Sequence, residues 1–563
     1  MRKIRPLILM LAVTWLTACS DNGGDVIPPA VEEPEQEEPD APESEESTHH
    51  FLMGSLFSFQ KNLRNGVDAA NGGTASTTFY NKPLFEAKTF AATDEEWWDN
   101  LVEEFVYSGL DYVAANCRGR LPRADENPKY ELDHGDPTRI KDLIAALKRR
   151  DVKDLKIAIF DDCPASWAAA RNYDLYGKYS TVLSSSEQQS LKLSDEEVVY
   201  PLDDLEAIYK YIWDYNIKLA FQNFYGENAA NNDYLFRYNG KPVLYLWSIN
   251  GFLNVEYAAL GGKRISCTGK LKNILEKIRE DFKATFGEDL FLCVDKAFFD
   301  RDSRVTKSVV DARNDWFIAS EQATNRSSYS LYTLNGTSVG VAVPGFLTND
   351  KSGSRMLFDA NHGKTLTTAL DHMVKNKADL LLLEGFTDMA ENAAFWRSTD
   401  ETYYDFPNQR LNILRKYNAT KAYPAELRVE AETCDRAVDK SEGNSGRQYR
   451  KGDLDIKKCN DTFGGWCVTD TEAGESLTWV ELPFRSGKSL LKLRYASQEE
   501  AEVCFAVDGE KCAGVKLPAT DGAWKEQEVA AVHFDRKAWH EVTLHFLSGR
   551  MEVNCFNICA VSE

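Results

Sequence analysis

Ala378-Asp379-Leu380-Leu381-Leu382-Leu383-Glu384-Gly385-Phe386-Thr387-Asp388-Met389-Ala390-Glu391-Asn392 is the stretch that decides how this chain folds. Four leucines with no polar break read as a strand buried on both faces, as in parallel sheets covered by helices. Three carboxylates, Glu384, Asp388 and Glu391, follow where the strand leaves the core. Barrel enzymes present their chemistry at that end of their strands. Water is scarce there, and a carboxyl group can have its pKa raised enough to serve as an acid.

Outward from this strand, apolar runs alternate with helical patterns from residue 51 to about 420. Strands are expected at 51–57, 112–115, 156–160, 242–247, 290–294, 316–319, 339–343 and 380–383. Helical stretches are expected at 94–108, 137–149, 203–216, 269–285 and 363–376; in the second, Leu143, Ile144, Ala146 and Leu147 share one face. Eight strands with interleaved helices predict a (β/α)8 TIM-type barrel over 51–422, the alternative being a doubly wound sheet. Polar residues close several strands: Arg118 and Arg120, Asp161 and Asp162, Asp295, Glu321. Asp161, Asp162, Glu321, Glu384 and Trp247 are the candidates for substrate contact, since aromatic faces stack on sugar rings. A strand-end Asp is also a common helix cap.

From 426 to 563 the pattern changes to short alternating strands: 427–432, 477–482, 490–495, 501–507, 526–532, 540–546 and 551–558. This reads as an all-β jelly-roll or β-sandwich with a core of its own, so the barrel is expected to fold without it. Seven of the chain's twelve cysteines lie here. In an exported protein they suggest disulfides, with Cys504 and Cys512 flanking an expected turn at Asp508-Gly509. Cys117, Cys163, Cys267 and Cys293 have no metal-ligand spacing.

Export is read from the start of the chain. Arg2, Lys3 and Arg5 precede an apolar run from Pro6 to Leu16, then Thr17-Ala18-Cys19. This describes a secretory signal over 1–19, with a run too short to span a bilayer. The cysteine resembles a bacterial lipobox, which implies lipidation of Cys19. Residues 20–50 hold eleven Asp or Glu, five Pro and no Lys or Arg, an extended acidic tether ending at His49-His50. Half of the net charge of −22 sits in it, and nothing suggests nucleic acid as a partner. Ser20-Asp21 resembles the export signals of surface lipoproteins. The expected location is the outer membrane, lipid-anchored and outward-facing, with the periplasmic face as the alternative.

The C-terminal stretch resembles carbohydrate-binding modules of the family-six type. Val429-Glu430-Ala431-Glu432, Gln448-Tyr449-Arg450 through Asp455-Ile456, Gly464-Gly465-Trp466-Cys467-Val468 and Ala473-Gly474-Glu475-Ser476-Leu477 carry the likeness. The resemblance implies a structural calcium held by Glu430 and Glu432, carboxylates being ligands for hard cations. It also implies Trp524 as the loop aromatic that stacks on sugar. Glu552 stands where relatives place an Asn, and Ser476 where they place a Trp.

The barrel more distantly resembles the endo-α-mannosidase and α-1,3-glucanase group of glycoside hydrolases. Asn239-Gly240-Lys241-Pro242-Val243-Leu244 and the eighth-strand motif carry this likeness. Thr387-Asp388-Met389-Ala390-Glu391-Asn392 falls on a motif whose two carboxylates are catalytic, which implies Asp388 and Glu391 as the pair. In a helix their three-residue spacing would put both on one face, and glycoside hydrolysis needs such a pair. The resulting expectation is a glycoside hydrolase, endo-acting on a polysaccharide or complex glycan, with no cofactor for catalysis. The alternative is a glycan-binding lipoprotein without catalysis. Nucleotide, zinc-protease and esterase signatures are missing from the sequence.

Overall fold

The computed structural model describes residues 51–59, 81–120, 135–162, 212–247, 270–349, 355–389, 391–462 and 464–561. The expected signal with Cys19, the expected tether with His49 and His50, Cys163, Cys267 and most of the expected 203–216 helix lie outside them. Among the described residues no helix is long and apolar enough to cross a membrane.

Residues 51–417 form a mixed α/β domain around a parallel-rich, nearly closed sheet. Its parallel strands are Leu52–Phe57, Tyr112–Cys117, Lys156–Asp162, Lys241–Trp247, Phe291–Asp295, Ala312–Asn314, Thr337–Ala342 and Leu380–Leu383. They neighbour one another in chain order, and the last returns to pair with the first, Leu52 opposite Leu380. Between the sixth and seventh lies Tyr329–Leu334, antiparallel to the seventh. Arg313 of the sixth strand lays its guanidinium over the Tyr332 ring at 3.7 Å.

The expected strand at 316–319 is a correction. The sixth strand is Ala312–Asn314, and Ile318 makes only an isolated bridge to Ser327 with its side chain exposed. Ala-Arg-Asn carries no apolar pattern. It pairs in parallel with Cys293–Asp295, and its Arg313 is neutralised by Asp315 at 2.6 Å and covered by Tyr332.

Helices cover the outer face. Asp94–Tyr107 begins where Thr93 and Glu96 form a capping box, each side chain accepting the other's backbone N–H. Leu101, Val102 and Phe105 from this helix pack in one core with Met53, Val113 and Ile157 of the strands. The period of two sends the other set inward: Leu56, Tyr112, Ala114, Phe160, Val243, Tyr245, Cys293, Leu380 and Leu382 form a separate inner core. Tyr112 spans it, stacked on Phe236 at 4.0 Å and donating to Leu381 O at 2.9 Å. Its ring fills the space that a side chain at position 54 would need, so Gly54 is required by close approach. Gly54→Ala is expected to cost about 3 kcal/mol, the upper end of ordinary overpacking, because the ring is pinned at its hydroxyl. Chemical denaturation of the variant measures this, and an unchanged midpoint would refute the wedge.

Residues 426–560 form an all-β sandwich. One sheet holds Glu426–Glu430, Ile456–Lys458, Trp466–Val468, Gly487–Ala496, Lys525–Phe534 and Glu552–Ala560. The other is built on Ser476–Phe484, Ala501–Val507 and Ala538–Ser548. Trp479, Phe505 and Phe556 meet in its centre at 4.9–5.1 Å. Asp508 and Gly509 both have positive φ (50° and 81°), the geometry an Asp-Gly hairpin turn demands. Its strands pair Phe505 with Cys512 rather than Cys504 with Cys512, and the nine described cysteines are all thiols.

The expectation of a separate core for the sandwich is corrected by the packing. A single hydrophobic cluster runs from Phe51 to Ile558. Phe85 of the first part stacks on Tyr449 at 5.2 Å and meets Trp466 at 4.7 Å. The helix Gln409–Tyr417 is bound from the sandwich side, with Asn412 donating to Glu481 O at 3.1 Å. Just before it, Asn408 donates its backbone N–H to Asp435 at 2.9 Å.

Candidate functional site

Alternation along the strands decides which polar groups reach the interior at the carboxyl end of the sheet. Two residues beyond inward-facing Ala114, Phe160, Tyr245, Cys293, Ala312 and Leu382 come Asn116, Asp162, Trp247, Asp295, Asn314 and Glu384. A polar layer therefore caps the apolar inner core.

Glu384 is the centre of this layer. The residue is part-exposed, but its Oε2 is buried and has no hydrogen-bond partner among the described residues. Burial pushes its carboxyl well above the ordinary range. The charges of Asp388 and Asp162 push the same way, and Arg118 opposes them. Arg118 is ion-paired with Asp162 at 2.7 Å. Three carboxyls and one guanidinium thus meet where the second, third and eighth parallel strands end. Trp247 and Trp316, both part-exposed, lie with ring centroids 5.4 Å apart, and Phe160 backs Trp316 at 6.0 Å.

The expected helical pairing of Asp388 with Glu391 is not what the chain does. Gly385 (φ 78°) and Asn392 (φ 57°) break the segment after Leu383 into turns. Asp388 Oδ1 accepts the Glu391 backbone N–H at 3.0 Å, and the Glu391 carbonyl accepts from Leu347 N at 2.8 Å. The turn is held from behind by Arg410, whose guanidinium donates to the carbonyls of Asn392 (3.4 Å) and Ala394 (2.5 Å).

Other predicted contacts fall elsewhere. Asp161 faces the helices, fully buried, and accepts from Asn216 at 2.7 Å. Glu321 is exposed in a turn beyond the true end of the sixth strand. Asp295 caps the short helix Lys296–Arg301 through Ala297 N at 2.8 Å, with burial raising its pKa to about 6. Asn116 and Asn314 were not singled out by sequence, although the same alternation that marks Glu384 would have found them.

In the sandwich, Trp524 is part-exposed and its Nε1 donates to Asn460 at 2.7 Å. Beside it Asp461 takes Arg494 at 2.5 and 2.7 Å and Asn554 at 2.8 Å. Partial burial alone would raise Asp461, yet these partners hold it down to about 2. Glu552 is ion-paired with Lys457. The asparagine near the last strand is Asn554, carried at a break in the register between Arg494 and Tyr495.

Glu430 does not fit a calcium ion, whereas Glu432 is buried with its Oε2 lacking a hydrogen-bond partner among the described residues. Glu430 gives Oε1 to Arg428 at 2.6 Å and to Arg150 at 3.3 Å, and Oε2 to Arg428 at 3.1 Å. Cys555, a soft donor, is paired with Glu430 across the strands. Among the described residues no group of three or more His, Cys, Asp or Glu is placed to hold a metal ion.

Comparison with known proteins agrees with this division. A family model described as a domain of unknown function (DUF5010) matches residues 49–436, more than half of the chain. A model described as a carbohydrate binding module (family 35) matches residues 450–558. Similar solved structures cover the C-terminal quarter. One is the C-terminal CBM6 of LamC from Zobellia galactanivorans (20% identity, 24% of this chain and 98% of that one, TM-score 0.19). Another is a module from Cellvibrio mixtus lichenase 5A in complex with cellotriose (21%, 24% and 98%, 0.20). A third is a native family 35 module from Clostridium thermocellum (13%, 24% and 98%, 0.19). No curated protein matches.

Proposed function

The chain belongs to the DUF5010 family, and from that premise we propose that it is a glycoside hydrolase whose general acid is Glu384. The C-terminal domain is a carbohydrate-binding module of the family 35/6 type, which makes the chain a carbohydrate-active protein. The observation that carries the catalytic reading is Glu384: a carboxyl whose Oε2 is buried with no hydrogen-bond partner among the described residues, biased towards its protonated form by burial and then by two acids at the mouth of the sheet. Asp388 is the partner carboxylate, and its turn, pinned through Glu391 N and Arg410, fixes where it points. This moves the acid pair from Asp388–Glu391 to Glu384–Asp388, with Asp162 and Arg118 setting the field around it. Trp247 and Trp316 supply the surface on which a sugar ring packs.

The sheet is read as a degenerate (β/α)8 barrel with one antiparallel strand inserted before the seventh. Its distant likeness to endo-α-mannosidases supports hydrolysis of O-glycosyl bonds; the motif lacks that family's tryptophan and histidine, so mannose is not carried over. A purified chain incubated with a panel of polysaccharides and glycans, with products separated by size, tests the proposal. Oligosaccharide release is expected; retention of glycans without any product would instead leave a capture protein.

The lipobox register supports a lipid-anchored surface protein. Cys19→Ala is expected to leave an unlipidated chain outside the outer-membrane fraction. Fractionation that still finds the variant there would overturn the anchor.

A further inference from the structure

In the sandwich, Glu430 occupies a position where a cation would be expected, yet the groups that meet it are cations of the protein itself. Arg428 grips both Glu430 oxygens at 2.6 and 3.1 Å. Arg150, at the C-terminal end of the helix Ile140–Arg149 in the first domain, reaches across to Glu430 at 3.3 Å and to Glu103 at 3.6 Å. Glu103 and Glu104 of the helix Asp94–Tyr107 in turn take Arg397 at 3.2 and 2.9 Å. The result is one network of three carboxyls, Glu103, Glu104 and Glu430, against three guanidiniums, Arg150, Arg397 and Arg428, with Glu432 buried beside it. A dication added there would give the network excess positive charge even with every carboxyl ionised. It would also have to displace Arg428 to gain either oxygen of Glu430, and calcium takes six to eight oxygens.

We infer that Arg150 has taken the place of the cation at Glu430, and that it fastens the sugar-binding module to the first domain as a fixed element of one body. A module held this way cannot swing on a linker. Its Trp524 face keeps one orientation to the mouth at Glu384, so a polymer that reaches both must fit a set geometry. One terminal nitrogen of Arg150 lies between Glu430 and Glu103, and arginine suits the place because its guanidinium stays charged when withdrawn from water.

The test uses the full-length chain. Thermal unfolding is followed in excess EDTA and in millimolar calcium chloride, alongside calorimetric titration with calcium. The expected result is one Tm in both buffers and no heat of binding. Arg150→Gln is then expected to lower Tm by several degrees in either buffer. A fall in the wild-type Tm with EDTA, or a calcium-binding heat, overturns the replacement. An Arg150→Gln variant that unfolds like wild type overturns the clamp. If that variant does not accumulate in folded form, the chelation and calorimetry of the wild-type chain still decide whether a cation sits at Glu430.

Discussion

Glu384→Gln is expected to abolish hydrolysis while leaving glycan binding nearly intact. The amide keeps the shape of the side chain but has no proton to give to the departing glycosidic oxygen. Loss of general acid catalysis costs about 10²–10⁴ in rate. The loss should appear in kcat with little change in KM, because the amide keeps the size and polarity of the side chain. Asp388→Asn should be comparably damaging, and it should also lower the pKa of Glu384 by removing one of the negative charges that raise it. Turnover of both variants on the best substrate of the panel is the check. If either keeps wild-type kcat, that acid is structural.

The second large effect is on stability. Arg397 is 1% exposed and holds four groups: Glu104 at 2.9 Å, Glu103 at 3.2 Å, Asn408 at 2.6 Å and the Tyr107 ring at 4.5 Å. Its backbone N–H also goes to the second Glu104 oxygen at 3.1 Å. Burial pushes Glu104 up, while for Arg397 the charges of Glu104 and Glu103 outweigh burial and hold it above the usual arginine range. The two shifts favour opposite states of the pair; three short donor contacts on Glu103 and Glu104 favour the ionised one. Arg397→Ala leaves Glu104 fully buried without a cation, which costs about 3–5 kcal/mol. That is a large share of the ~5–15 kcal/mol of a typical native fold. Denaturant unfolding should show it as a lower midpoint. Adding Glu104→Gln should recover part of the loss, since the stranded charge is then gone. An unaltered midpoint in the single variant would mean that the network carries no net stability.

Local rules made much of the fold legible. Four consecutive leucines marked the strand that closes the sheet, Thr93-x-x-Glu96 marked a helix start, and Asp508-Gly509 marked a hairpin. Seven of the eight parallel strands fall where apolar runs predict them. The sixth does not, because Ala312-Arg313-Asn314 hides a charged residue in tertiary partners that no local pattern announces. The site was half legible. The acids after Leu383 were in view, but their pairing rested on a helix that Gly385 and Asn392 prevent. Carrying the period of two one step past Leu382 would have put Glu384 inside and Asp161 outside. The joined core was beyond reach, since Arg397 meets Glu104 across 293 residues and its partners lie in separate helices and loops.

The central claim is that Glu384 keeps its proton in the folded chain. Its carboxyl is raised above the ordinary 4.5, so from about that pH upward the unfolded chain has lost a proton that the folded chain retains. Folding stability then falls as pH rises through that window, at up to ~1.4 kcal/mol per pH unit for one group. Glutamine cannot titrate, and the other raised acids, Glu103, Glu104, Glu432, Asp295, Asp142, Asp435 and Glu475, are common to both proteins. The most direct measurement is the unfolding free energy of wild type and Glu384→Gln at a series of pH values from 4 to 8. The account predicts that the wild type loses stability relative to the variant as pH rises above about 4.5. Two parallel curves would mean that Glu384 titrates as an ordinary carboxylate, and would contradict it.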